Sequence, residues 1–379
     1  MELGIKIIAL FISILTFLGV YNPPVSEIPK KEIVGLVKQV GSTNPQTRQI
    51  KNISSIKNQS PVIKNSKVKT QNKILTEPLS LPVLIPVPPP VNWDMVNEKT
   101  RTAIVNIYCT GKRGNFTSPV SGSGVVIDPR GVILTNAHVA QYLLLADYPI
   151  PELLECVIRT GSPASRRYTV KPLYISPRWI ENNYKNLIIE NPQGTGEDDF
   201  AFLLVNGSTN ETNPVPESIS FLTTDTSDIG ARLGHSVLIA GYPAGFLDGT
   251  IIEKNLYSVS SFVKIGQLLT FGDGQRDSVS LGGSVTAQKG SSGGAVVSAE
   301  SRLIALISTE QEAPNTSERE LYAITLSHID RSLVLQTGMT LAEFLASDIN
   351  ALSEKFNQET APRLAKLLTD KATSTPTGE

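Results

Sequence analysis

Three short stretches, in this order along the chain, constrain the fold most: Thr135-Asn136-Ala137-His138, Asp198-Asp199-Phe200-Ala201 and Gly290-Ser291-Ser292-Gly293-Gly294. A serine hydroxyl is a weak nucleophile at neutral pH, so an imidazole must accept its proton. A buried carboxylate must then hold that imidazole in the right tautomer and stabilise its charged form. His138, Asp199 and Ser292 supply those three groups. Gly290 permits a turn that aims backbone N–H groups at a developing oxyanion, the donors being Gly290 and Ser292 helped by Ser291. Gly293 and Gly294 let another backbone approach closely. Asp198, the neighbour of Asp199, reads as capping the loop into solvent. Ser292 is preferred to Ser291 because only Ser292 has the Gly-Gly pair directly after it.

The blocks around these residues carry a family resemblance. Ser121-Gly122-Ser123-Gly124-Val125-Val126-Ile127, followed by Gly131-Val132-Ile133-Leu134-Thr135-Asn136-Ala137-His138-Val139, resembles the first catalytic block of trypsin-like serine proteases of the HtrA/Deg group. Asp199-Phe200-Ala201-Phe202-Leu203 is similar to that group's acid-bearing strand. Val237 to Gly245 resembles the turn after the domain junction, and Gly290 to Gly294 the nucleophile loop. Ser291 stands where the group usually has Asn or Asp, and Ala295 where it usually has Pro. The resemblance covers roughly residues 97–335. It implies an all-β chymotrypsin fold, two six-stranded-type β-barrels with the active site between them, and a serine endopeptidase acting on protein or peptide substrates without metal or cofactor. By the same alignment Thr286 lies near the floor of the specificity pocket, and Ser308, Thr309 and Glu310 lie on the strand that pairs with substrate backbone. With no acid at the floor, a small or medium apolar residue before the cut is expected. Residues 336–379 are too few for the PDZ domain that follows the protease in many relatives.

Gly290 to Gly294 also satisfies G-x-S-x-G, the nucleophile elbow of α/β-hydrolases. That elbow needs a helix directly after the serine, then an acid and a histidine. Here Ala295-Val296-Val297 and Leu303 to Ile307 read as short strands, and the only later histidine is His328. A further alternative is a protease fold that has lost activity and serves as a binding module.

Along the chain, Ile7 to Tyr21 are apolar apart from Ser13 and Thr16, with no good small-x-small cleavage site after them. This reads as an uncleaved signal anchor over residues 1–21, which ties the protein to a membrane outside the cytoplasm; a cleaved signal and secretion is the alternative. Residues 22–92 read as a flexible, basic tether ending in the Pro-rich run 82–90. Ile33-Val34-Gly35-Leu36 resembles the activation sequence of secreted trypsins, but it lies far ahead of the barrel and Ser291 offers no carboxylate to a freed amino terminus. Activity is therefore expected without N-terminal processing, with the Gly290 turn set by neighbouring loops such as 265–283.

The protease region spans 93–335, its barrels about 93–205 and 217–335, joined by the Asn-, Thr- and Pro-rich stretch Asn206 to Pro216. His138 and Asp199 then come from the first barrel and Ser292 from the second. After Ser332 the apolar residues Leu341, Phe344, Leu345, Ile349, Leu352 and Phe356 share one helical face, which packs either on the barrel or on copies of itself in a homo-oligomer. Ala372 to Glu379 read as disordered. The formal net charge of −1 argues against nucleic acid as a partner. Cys109 and Cys156 fit no metal or redox spacing. Two readings stand for them, a pair of buried thiols or a bridge between strands of the first barrel. His235 and His328 read as structural.

Overall fold

The computed structural model describes residues 90–111, 119–148, 151–189, 194–227, 229–245, 247–272, 274–311 and 320–373. The apolar stretch 7–21, the tether up to residue 89 and the last residues of the tail lie outside them.

The chain enters through a helix that the sequence reading did not anticipate, α1 (Trp93–Ala103). Asn92 caps it by accepting a hydrogen bond from the Met95 N–H at 3.1 Å, and Asp94 and Arg101 sit at the helix ends where their charges suit the dipole. Only Val96, Thr100 and Ala103 are buried, so its apolar face is narrow and hard to read from sequence.

Runs rich in β-branched and aromatic residues then form β1 (Ile104–Gly111), β2 (Val120–Asp128), β3 (Val132–Thr135), β4 (Leu154–Thr160), β5 (Ser165–Ile175) and β6 (Ala201–Ser208). They close into an antiparallel barrel in the order β1-β2-β3-β6-β5-β4. Closure removes the exposed strand edges that an open sheet would present. At the β1–β4 seam Cys109 lies directly opposite Cys156, and the two form a disulfide.

The second half holds β7 (Thr223–Thr224), β8 (Ser236–Gly241), β9 (Val259–Lys264), β10 (Gln267–Leu269), β11 (Ser278–Ser280), β12 (Ala295–Val297), β13 (Arg302–Gln311) and β14 (Glu320–Thr325). It is an open eight-stranded sheet with the path β10-β11-β14-β13-β12-β8-β9, to which β7 adds against β13, so the second expected barrel is not a closed hydrogen-bonded ring. The two ends of that path are nevertheless consecutive in the chain, joined by Ile265 and Gly266. Ile265 N–H donates to His235 O at 3.0 Å on one side, and Gly266 N–H to Ser280 O at 2.9 Å on the other. One bent strand thus spans both edges of a curled sheet around Val237, Ile239, Val279, Val296, Ile304 and Ile307. Residues 265–283, expected as loop, contain the β10–β11 hairpin.

No helix follows Ser292; β12 does, which rules out the nucleophile-elbow fold. After the short helices α2 (Ala137–Leu144), α3 (Pro177–Asn183) and α4 (Gly249–Lys254), the C-terminal region is a string of helices: α5 (Leu326–Thr337), α6 (Leu341–Ala346), α7 (Ile349–Lys355), a π-turn at Phe356–Thr360 and α8 (Ala361–Thr373). Gly338, at φ 78°, ends α5; a Thr340–Glu343 capping box starts α6, and Asp348 caps α7. The boundary expected at 335 falls inside α5. These helices return to the first barrel, with the Phe344 ring 5.0 Å from Phe202 and Phe356 5.8 Å from Tyr174.

Candidate active site

Register brings the histidine and the acid together. β3 and β6 pair with Thr135 opposite Ala201, so the residues just after Thr135 meet those just before Ala201. α2 (Ala137–Leu144) starts there and carries His138. Asn136 Nδ2 donates to Asp199 O at 2.9 Å, His138 N–H donates to Asp199 Oδ1 at 3.0 Å, and His138 Nδ1 lies 2.7 Å from Asp199 Oδ2. Ser308 Oγ, from β13 of the second sheet, donates to the same Oδ2 at 2.9 Å. Asp199 is 2% exposed and its charge is compensated by these donors. Burial depresses the His138 pKa, but the Asp199 carboxylate, by its charge and its hydrogen bond, outweighs this and raises it above the ordinary imidazole value.

The loop Gly290 to Gly294 lies across the junction of the two halves. Ser123 on β2 holds it: Ser123 N–H donates to Ser292 O at 2.8 Å, and Ser123 Oγ donates to Gly290 O at 2.7 Å while accepting from Tyr242 N–H at 2.8 Å. Gly290 and Gly293 have φ of 93° and 84°, and a Cβ on Gly293 would stand 2.0 Å from Ser123 O. Glycine is required there on both counts. Within the loop, Ser291 N–H donates to Gln288 O at 3.1 Å, Gly293 N–H to Ile307 O at 2.8 Å and Gly294 N–H to Ser291 O at 2.8 Å. The N–H groups of Gly290 and Ser292 find no acceptor among the described residues. Two alternate donors are thus left open beside the Ser292 hydroxyl, which itself donates to Ser308 O at 3.2 Å. Ser291 does not join them as a donor: its N–H is used inside the turn and its side chain is 1% exposed.

Other expectations fare differently. Asp198 does not cap the loop into solvent. It is 4% exposed, bonded to Ser332 Oγ of α5, with Arg178 Nε 3.2 Å from its other oxygen. Sequence reasoning missed this because Ser332 and Arg178 reach it only through tertiary packing. Thr286 is fully buried and its hydroxyl is bonded to Ser284. The side chain of Ser308 goes to Asp199, leaving its backbone for other partners. Thr309 and Glu310 lie on β13, and their side chains fall outside the described residues. His235 is exposed, whereas His328 is buried against Asp277, Nδ1 to Oδ1 3.0 Å. No cluster of metal-ligating side chains occurs among the described residues.

Residues 122–306, from β2 into β13, match the sequence family described as trypsin-like peptidase domain. Over that stretch the chain is similar to trypsin-like peptidases. The matched stretch contains His138, Asp199 and Ser292. Among solved structures the chain is similar to the crystal structure of Deg5, at 17% identity over 65% of this chain and 94% of that one, with a TM-score of 0.42. It is also similar to the Rv3671c protease from M. tuberculosis in its active form, at 19% identity over 70% of this chain and 96% of that one, with a TM-score of 0.40. No curated protein sequence matches the chain.

Proposed function

We propose that this trypsin-like protease is a serine endopeptidase that works through Ser292, His138 and Asp199. The observation that carries the reading is the buried Asp199 carboxylate 2.7 Å from His138 Nδ1, combined with the open Gly290 and Ser292 N–H groups beside the Ser292 hydroxyl. Asp199 keeps the proton on Nδ1, so Nε2 is free to take the proton of Ser292 as its oxygen attacks a peptide carbonyl. The carbonyl oxygen becomes an oxyanion held by the Gly290 and Ser292 N–H groups. Each such donor is worth about 3–4 kcal/mol in the transition state. His138 then returns the proton to the leaving amine, and water enters by the same route to release the acyl group.

The hydrogen bond from Ser292 to Ser308 O supplies a place for the substrate. A substrate N–H taking that carbonyl, with backbone pairing along Ser308 to Glu310, releases the hydroxyl towards His138. Thr286 near the pocket floor carries no charge, which supports a small or medium apolar residue before the cut. We place the protein outside the cytoplasm, tethered to a membrane through residues 7–21, in an HtrA/Deg-like role in protein quality control. The Cys109–Cys156 disulfide supports an oxidising compartment.

A fluorophosphonate probe tests the reading. The full chain should be labelled and should cleave peptides, and Ser292→Ala should lose both while unfolding at nearly the same temperature; Ser291→Ala should stay active. Absence of labelling in the unaltered protein would leave a silent binding module instead, and cleavage of esters but not peptides an esterase.

A further inference from the structure

Asp198 directly precedes the acid, is buried, and has left-handed backbone with φ 59°. A non-glycine residue persists in that region when its surroundings over-determine it. Those surroundings come from two helices. Ser332 of α5 donates its hydroxyl to Asp198 Oδ1, and Arg178 of α3 (Pro177–Asn183) faces Oδ2. Both carboxylate oxygens are thereby occupied, so Asp198 does not compete with Asp199 for the histidine.

The contact is braced from behind. Gln336, one helical turn further along α5, donates through Nε2 to Ser332 Oγ at 2.9 Å. Its Oε1 accepts from Tyr174 OH at 3.0 Å and Ser176 Oγ at 3.1 Å. Burial, and then the Asp198 charge, keep the Tyr174 phenol protonated far above its ordinary range, so it stays a donor. Ser176 in turn caps α3 by accepting from Trp179 N–H at 3.2 Å, and the Trp179 ring lies 6.3 Å from the His138 ring. One turn of α5 therefore grips the residue before the acid and also the cap of the helix that carries the histidine's aromatic neighbour.

We propose that Asp198, Ser332 and Gln336 form a positioning network through which the C-terminal helix α5 sets Asp199 against His138. The inference rests on reading that pair as the catalytic base and its orienting acid. The peptide unit between Asp198 and Asp199 is rigid, so a turn of the Asp198 backbone swings the Asp199 carboxylate. A displacement of about 1 Å in such a group costs about 100-fold in rate.

The test uses full chains normalised to probe-titrated active sites. Ser332→Ala should lower kcat about 10- to 100-fold with KM unchanged. It should also move the acid limb of kcat/KM to lower pH, because a displaced Asp199 supports the imidazolium less. Ser332→Thr keeps the hydroxyl and should restore both. Gln336→Ala removes the brace one position further out and should act in the same direction with smaller amplitude, which covers a Ser332→Ala that does not fold. The NMR titration of His138 should shift downward in the same variants without any need for turnover. An unchanged His138 titration with unchanged kcat would overturn the proposal. A protein that neither labels nor cleaves, but whose His138 titration still moves in Ser332→Ala, would sink the endopeptidase reading and leave the positioning network standing.

Discussion

The Asp199 carboxylate is bonded by three groups from two residues: the backbone N–H and the ring of His138, and the hydroxyl of Ser308 from the other half of the molecule. Replacing it with Asn would keep the shape but favour the wrong imidazole tautomer. Asp199→Asn should depress kcat about 10⁴-fold near neutral pH, as the equivalent change does in the triad template. The raised His138 pKa also sets a direction for pH. The proposed mechanism requires neutral imidazole, so kcat/KM should rise with pH through a midpoint above the ordinary histidine value of about 6.5. The stability contributed by the His138–Asp199 pair runs the other way: it is full below the unfolded histidine pKa and is lost as pH rises through the folded one. A kcat/KM midpoint below the ordinary value would show that burial, not Asp199, governs His138. At this scale the candidate residues were legible in residue types and glycine spacing. The partners of Asp198 and Ser308 were not, because Ser332 and Asp199 are far from them in sequence.

Single strands do less than their pairings. The β3–β6 register delivers His138 to Asp199, and β12–β13 pairing, with Ile307 N–H donating to Gly294 O at 2.9 Å, holds the Gly290–Gly294 loop to the strand bearing Ser308. The disulfide works at this scale too. It joins β1 to β4 across a sequence separation of 47 residues, at the seam that closes the first barrel. Changing Cys109 and Cys156 together to Ala should cost about 2–4 kcal/mol, read as a lower Tm, with probe labelling retained in the folded fraction. Equal Tm with and without the bridge would mean that the strand pairing alone closes the barrel. Strand composition placed both cysteines on strands of one barrel, but pairing requires that their register be opposite, and no local pattern encodes that. The C-terminal helices were read as one because their apolar residues keep a common period; Gly338, Thr340 and Asp348 divide them through capping, whose hydrogen bonds are local and stronger than the period.

Across the whole molecule, the chain builds the acid and histidine half first, the serine half second, and then returns through α5–α8 to cover the first barrel. Packing of Phe344 and Phe356 against Tyr174 and Phe202 makes that return part of the fold. The Gly290 turn is held by Ser123, Gln288 and the Lys289 carbonyl bonded to Ala244 N–H at 2.7 Å, with no carboxylate at Ser291 to await a freed amino terminus. Chains beginning at different points between Asn22 and Asn92 should therefore show equal specific activity, and one beginning at Asn92 should be soluble and still react with the probe. The full chain, if anchored through residues 7–21, should stay with membranes in carbonate. A sharp rise in activity at one particular N-terminus would revive activation by processing.

By itself, the sequence determined what depends on local pattern: the strands, the glycines that alone can occupy the nucleophile turn, and the identities of His138, Asp199 and Ser292 as candidates. Tertiary structure alone decided what depends on meeting at a distance. The bent β9–β10 strand spans the edges of an open sheet, the two cysteines pair, Ser308 reaches the acid, and Asp198 is drawn inward by α5. Burial makes the difference, since a carboxylate such as Asp198 can leave water only where donors from other elements replace its solvation.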